Sequence, residues 1–247
     1  MDDDLLVRAA DNLGGSYRHW AEALGKPARL WEDLSIGDLG LPVTEPVNNA
    51  SLLQPPTDVS DLVDRIRSFF GANPGGGYEI WSLWPLPEQV PEGFESYRCP
   101  AMIREAGGEA PSPPAELEIL EVSDADTARA AEGILDAVYG CHSPEAGSLM
   151  TPAVSSKDFR TWVGSVDGRP VSTATAYVGG GFVGVYAVAT YEEARGRGYG
   201  QALTWKATMF RPDLPATLQA SPLGLPIYEQ MGYRQIAECT VWYTEQR

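Results

Sequence analysis

The chain has 247 residues, 43% of them hydrophobic, with 26 glycines, 20 prolines and a formal net charge of −16. That length holds one large domain or two small ones, and the apolar content is enough for a packed core. The charge disfavours DNA and RNA as partners, no run nears the roughly 18 apolar residues of a membrane span, and the acidic start Met1-Asp2-Asp3-Asp4 lacks the basic region of a secretory signal. A soluble cytoplasmic protein with no membrane partner is expected.

Residues 4–24 place Leu5, Leu6, Ala9, Leu13, Tyr17, Trp20 and Leu24 at three- and four-residue steps, which predicts an amphipathic helix. Gly14-Gly15 works against its continuity. A strand is expected over 46–54 and a helix over 58–70, with Asp58 as cap and Leu62, Ile66, Phe69 and Phe70 on one face. Asn73-Pro74-Gly75-Gly76-Gly77 breaks the chain. Strands follow at Tyr78–Trp84 and Tyr97–Ile103. Residues 106–115 concentrate glycine and proline and read as a semi-rigid linker. The expected organisation is an α/β domain at 1–105, the linker, and a second domain at 116–247.

The second half has a clearer rhythm. Leu117–Val122 alternates like a strand, and Ser123 or Asp124 caps a helix through Ala137. Thr161–Val166 and Val171–Val178 flank Asp167-Gly168, a hairpin turn. Phe182–Ala189 is a strand, Tyr199–Met209 a helix, Ala216–Ala220 a strand, Leu225–Met231 a short helix and Ile236–Tyr243 a last strand. The fold class is α/β: a mixed sheet flanked by helices, behind a smaller α/β N-terminal domain.

Cys99, Cys141 and Cys239 form no C-x-x-C, and His19 and His142 are the only histidines, so neither a disulfide framework nor a metal site is expected. Cys141-His142 reads as a loop after a helix, since catalytic Cys and His come from separate segments.

The informative stretch is Val185 to Leu203, where a strand enters Arg195-Gly196-Arg197-Gly198-Tyr199-Gly200-Gln201 and a helix leaves it. Glycines let backbone N–H groups approach an anion. The helix N-terminus adds unpaired N–H groups and positive potential. Arg195 and Arg197 can add charge at the rim. A P-loop would need Gly-Lys-Ser/Thr, and a dinucleotide fingerprint would need G-x-G-x-x-G at the first strand; neither is present.

Arg195-x-x-Gly198-x-Gly200 resembles the Arg/Gln-x-x-Gly-x-Gly/Ala motif of the GNAT superfamily of acyl-CoA-dependent N-acetyltransferases. Downstream, Ser221 to Tyr233 is similar to that family's Asn-x-x-Ala-x-x-Leu-Tyr-Glu-x-x-Gly-Phe segment, with Ser221 for the usual Asn and Gly224 for Ala. The resemblance runs from Leu117 to the C-terminus. It implies acetyl-CoA as cosubstrate, without metal, lying in a splay between strands 182–189 and 216–220. The pantetheine arm would pair with backbone near Val188 and Thr190, and Ser221 could bond an amide. The pyrophosphate would sit on the N–H groups of Gly196, Arg197, Gly198, Tyr199, Gly200 and Gln201. Tyr228 matches the tyrosine that protonates the leaving thiolate; outside the motif it would read as a core aromatic.

The partner implied is a small-molecule or peptide amine, attacked directly and without a covalent enzyme intermediate. No general base is evident. Glu192 and Glu193 flank the turn but read as solvated, and a bound water can serve. Residues 1–105 lack the glycine motif and look like the degenerate copy of two-part GNAT proteins, or an unrelated α/β cap. Either would shape a cleft at the junction. A non-catalytic acyl-CoA-binding or sensing protein is the alternative reading.

Overall fold

Helix α1 (Asp3–Ala23) buries Leu6, Ala9, Ala10, Leu13 and Ala21, the face its apolar spacing predicts. The computed structural model describes residues 3–40, 48–72, 76–141, 143 and 146–244; His142 and the break at 73–75 lie outside it. Gly14-Gly15 does not interrupt α1, for a packing reason. A Cβ on Gly14 would lie 2.7 Å from Ser35 Cβ and 2.9 Å from Ser51 Cβ. Those serines sit on β2 (Leu34–Gly37) and β3 (Asn49–Leu52), so the glycine lets helix and sheet approach closely. Gly14→Ala should therefore destabilise the protein by about 1–3 kcal/mol despite alanine's better helix propensity. Thermal melts should show a loss of about 2–4 °C per kcal/mol. Gly71, at the end of the next helix, has nothing within 4 Å of its would-be Cβ, and Gly71→Ala is the control expected to melt no lower than the parent.

The first half also contains β1 (Ala28–Leu30), α2 (Val59–Gly71), β4 (Glu79–Ser82) and β5 (Glu95–Arg104). Asp58 caps α2 as expected, accepting from Asp61 N. Strands β1 and β2 escape the sequence reading because they are short and hold no aromatic and one β-branched residue, Ile36. Residues 106–115 carry neither helix nor strand.

The second half runs β6 (Glu118–Glu121), α3 (Ala125–Tyr139), a short α4 (Thr151–Ser155), β7 (Phe159–Val166), β8 (Arg169–Gly179), β9 (Phe182–Thr190), α5 (Tyr199–Thr208), β10 (Ala216–Gln219), α6 (Leu225–Gln230) and β11 (Arg234–Tyr243). Asp124 and Thr127 form a reciprocal capping box on α3. Asp167 (φ 49) and Gly168 (φ 73) supply the two positive φ angles of a tight hairpin turn between β7 and β8.

All strands join one 11-stranded sheet, ordered β1-β2-β3-β4-β11-β5-β10-β9-β8-β7-β6. The pairing is antiparallel except β3–β4 and β9–β10. Each half sends its last strand into the other. Strand β5 lies against β10, and β11 lies between β4 and β5, with Cys239 opposite Cys99 and Val241 opposite both Tyr97 and Trp81. Each half also contains one parallel strand–helix–strand unit, β3-α2-β4 and β9-α5-β10.

The helices cover both faces. Ala21 and Leu39 from the first half join Ala131, Ile134 and Leu135 of α3 in one cluster. Leu203 of α5 packs with Tyr228 and Met231 in another. Asn12 of α1 ties the halves together. Its side-chain nitrogen donates to Gly179 O (2.8 Å) and Phe182 O (3.2 Å), and its oxygen accepts from the Tyr186 hydroxyl (2.6 Å).

Candidate active site

The site begins where two parallel strands part. Strands β10 and β9 pair only at Ala216–Val183 and Thr217–Gly184. Strand β9 then bulges. Ala187 and Val188 together face the single residue Ala174, because the register shifts between Thr173–Ala189 and Thr175–Tyr186. Ala187 takes φ 51, a left-handed conformation unusual for a residue with a side chain. A β-bulge bends a strand and re-aims its groups, and this one lies on β9 beyond its last pair with β10. The result is a splay between the two strands beyond Thr217 and Gly184.

The glycine turn follows β9 directly. Gly196 (φ 74) and Gly198 (φ 81) are both left-handed, and Gly198 caps α5 with no side-chain hydrogen bond to the helix. The first N–H groups of α5 are therefore left to an external acceptor. A Cβ on Gly200 would lie 2.8 Å from Thr190 Oγ1, so glycine there lets helix and strand end meet closely. Arg195 and Arg197 are exposed, and Arg195 Nε donates to Thr190 O at 3.3 Å. Tyr199 is buried, with its hydroxyl donating to Glu116 (2.9 Å), so it offers the turn its backbone only. Gln201 is half-buried in the first turn of α5.

Val188 lies on β9 and Ser221 just after β10, both beyond the last β9–β10 pair. The Val188 carbonyl accepts from the Tyr139 hydroxyl at 2.6 Å. Ser221 Oγ accepts from Gly224 N (3.1 Å), which leaves its own proton to donate. Thr190 Oγ1 pairs with Ser172 Oγ (2.8 Å).

Tyr228 is a buried residue of α6, with Tyr139 near it. Its ring lies over Gly224, where a Cβ would be 2.6 Å from the ring and 3.0 Å from the hydroxyl. The glycine is therefore a fit to the tyrosine. Burial, and after it the neighbouring Tyr139, push the Tyr228 phenol up to about 12. It stays protonated across the physiological range and starts further above a thiol's ~8.5 than an exposed phenol would. Glu192 and Glu193 are exposed in a single 3-10 turn before the glycines.

Sequence reasoning missed Tyr139. A tyrosine ending a helix carries no local mark of function, and its role depends on a bulge some fifty residues later.

Residues 129–214 match the model of the Acetyltransferase (GNAT) family. That span contains the glycine turn but stops short of Ser221 and Tyr228. No curated protein sequence matches the chain significantly. Among solved structures it is similar to a GCN5-related N-acetyltransferase from Kribbella flavida, at 20% identity over 97% of this chain and 95% of that one, TM-score 0.66. It is also similar to a GCN5-related N-acetyltransferase from Sphaerobacter thermophilus, at 14% identity over 81% and 72% of the two chains, TM-score 0.55. A tandem GNAT protein from the clavulanic acid biosynthesis pathway shares 13% identity over 87% and 78%, TM-score 0.52. At these identities the likeness is one of fold.

Proposed function

We propose, from the match of residues 129–214 to the acetyltransferase (GNAT) family model, that the chain moves an acetyl group from acetyl-CoA to a primary amine by direct attack. The observation that carries this reading is the conjunction of the β9–β10 splay with an uncapped, glycine-rich helix start at its end. The pyrophosphate sits on the N–H groups of residues 196–201, and the pantetheine arm lies along Val188 and Thr190, with Ser221 donating from the opposite wall. The neutral amine nitrogen attacks the thioester carbon, so a C–N bond forms and the C–S bond breaks. The amine's proton passes to a bound water and on to solvent, the CoA sulfur takes one from Tyr228, and solvent returns a proton to the Tyr228 phenolate.

Residues 1–105 are, in this reading, a degenerate second copy, joined by the linker 106–115 to the active unit at 116–247. Their β3-α2-β4 unit has the same parallel strand–helix–strand form as β9-α5-β10. Its helix start is occupied by the chain's own Asp58 carboxylate. Asp33, Asp58 and Asp61 line the adjacent groove with Arg65, a surface that repels phosphate. The buried thiols of Cys99 and Cys239 suit a reducing, cytoplasmic setting.

Incubation with acetyl-CoA and a panel of primary amines, followed by free-thiol release, tests the activity. Acetyl-CoA binding without thiol release from any amine would favour a sensing protein. Calorimetry should give one acetyl-CoA site per chain, and a second site of similar affinity would remove the degenerate role from the first half.

A further inference from the structure

The bulge in β9 is fastened from outside the sheet. Val178 N donates to Asp158 O (2.9 Å), just ahead of β7. Alternate residues of an antiparallel strand bond the same neighbour, so Ala174 also turns its backbone groups toward β7. Ala187 and Val188 of β9 stand opposite Ala174. Their backbone groups therefore turn away from β8, to the side where β10 has already parted from β9. The other end of the strand gives the same alternation. Tyr191 N donates to Val171 O (3.0 Å), so Ala189 faces β8 and Val188 faces the splay.

The bulge is strained, and Tyr139 opposes the strain. Ala187 takes φ 51, where a side chain crowds its own backbone. The Tyr139 hydroxyl donates to the Val188 carbonyl at 2.6 Å, so the residue next to the strained one is held by a group that belongs to no strand. Tyr139 is the last residue of α3, ahead of the left-handed cap Gly140. The helix is anchored apart from this bond. Ala131, Ile134 and Leu135 are buried in a cluster that also contains Ala189, and Tyr139, Ala187 and Tyr191 pack against it. Tyr139 also lies near Tyr228, whose phenol it helps to push up. One side chain thus bonds the bulge and neighbours the proposed acid.

We infer that Tyr139 is a positioning residue for the acyl donor: by holding the Val188 carbonyl it fixes the bulge against which the pantetheine arm of acetyl-CoA lies, and it acts on that arm and not on the nucleotide end. This rests on the acyl-CoA reading for the place of the arm. The nucleotide end belongs to the glycine turn, whose shape comes from its own left-handed Gly196 and Gly198, so loss of the Tyr139 hydroxyl should leave it intact. Without that hydroxyl the Val188 carbonyl loses a donor, and Ala187 is free to relax out of its left-handed conformation. The wall of the splay then shifts under the arm, and the thioester shifts with it.

The test is calorimetry of Tyr139→Phe, which keeps the ring, with two ligands. One is acetyl-CoA. The other is adenosine 3′-phosphate 5′-diphosphate, which has the same nucleotide and pyrophosphate but no arm. The Kd of acetyl-CoA should rise about tenfold, the loss of one hydrogen bond and of the carbonyl it satisfied, while that of the nucleotide stays within about twofold. Retained nucleotide binding also reports an intact fold. Ala187→Gly relieves the left-handed strain, so in that background Tyr139→Phe should weaken acetyl-CoA by only about threefold. Acetyl-CoA binding that is unchanged or tighter in Tyr139→Phe overturns the inference. Equal weakening of both ligands overturns it too, as the mark of a general loosening, and so does a tenfold loss that persists with Gly at 187. A parent protein that binds neither ligand overturns the acyl-CoA reading, and this inference falls with it.

Discussion

Tyr228→Phe should lower turnover by roughly 10²–10⁴-fold, the usual cost of deleting a positioned general acid, with acetyl-CoA affinity nearly unchanged. The substitution keeps the ring, its place over Gly224 and its packing near Tyr233. It removes only the hydroxyl, which has no hydrogen-bond partner among the described residues, so no protein contact is lost with it. With the phenol at about 12, full proton transfer to the departing sulfur is uphill until C–S cleavage is well advanced. As the proposed acid, Tyr228 would act late, on charge that exists only near the transition state, which splits rate from binding. The pH profile carries a second signature. A group that loses its proton near about 12 imposes no alkaline fall below that region, so wild-type rates should climb with pH as the acceptor amine deprotonates, then level off. A wild-type rate in Tyr228→Phe, measured where chemistry limits, makes the residue structural. Loss of cofactor binding instead makes it part of the cleft wall.

Gly198→Asp should abolish most of the thermal stabilisation that acetyl-CoA confers. At a ligand concentration 100-fold above Kd, that stabilisation is about 2.7 kcal/mol, or about 5–10 °C for a chain of this size. The substitution places a carboxylate at the helix start assigned to the pyrophosphate. Sterics do not confuse the result, since the nearest atom to a Cβ there is Pro114 Cγ at 3.6 Å. The φ of 81 is left-handed, a region that Asp and Asn enter more readily than most residues. Gly198→Asn is thus the matched control: similar shape and backbone cost, no charge. The Asn variant should keep clearly more of the shift than the Asp variant. Equal shifts in both variants and in the parent would move the phosphate site elsewhere.

The sequence singles out these two positions because their spacing is local. Two left-handed glycines between a strand and a helix, and a tyrosine in a short helix seven residues after Ser221, are spacings along one stretch of chain. The Asp167-Gly168 turn and the Asp58 and Asp124 caps were legible for the same reason. The long helix over Gly14-Gly15 shows the limit of local propensity, since two serines from separate strands decide it. Glu79 and Tyr139 were out of reach. Nothing near Glu79 in sequence marks it as buried, and its setting exists only once β5 and β11 have crossed between the halves. Tyr139 acquires its partner through a bulge that no residue type announces.

The crossing of β5 and β11 also governs how the protein can be made. During synthesis the first half emerges with β4 lacking its neighbour on one side, and β5 has no partner until β10 and β11 exist. Edge strands in that condition template unwanted pairing, and contacts between distant segments form slowly. The nascent chain must wait for its final segment before the sheet closes, with its net negative charge of 16 as a barrier to association meanwhile. A stop codon before Arg234 would remove one strand from the order, but it would leave β4 and β5 without the neighbour they share, at the centre of the sheet. Truncation at the C-terminus should therefore be felt as far away as Glu79, and expression as soluble protein should depend on residues 234–243 more than on any other ten.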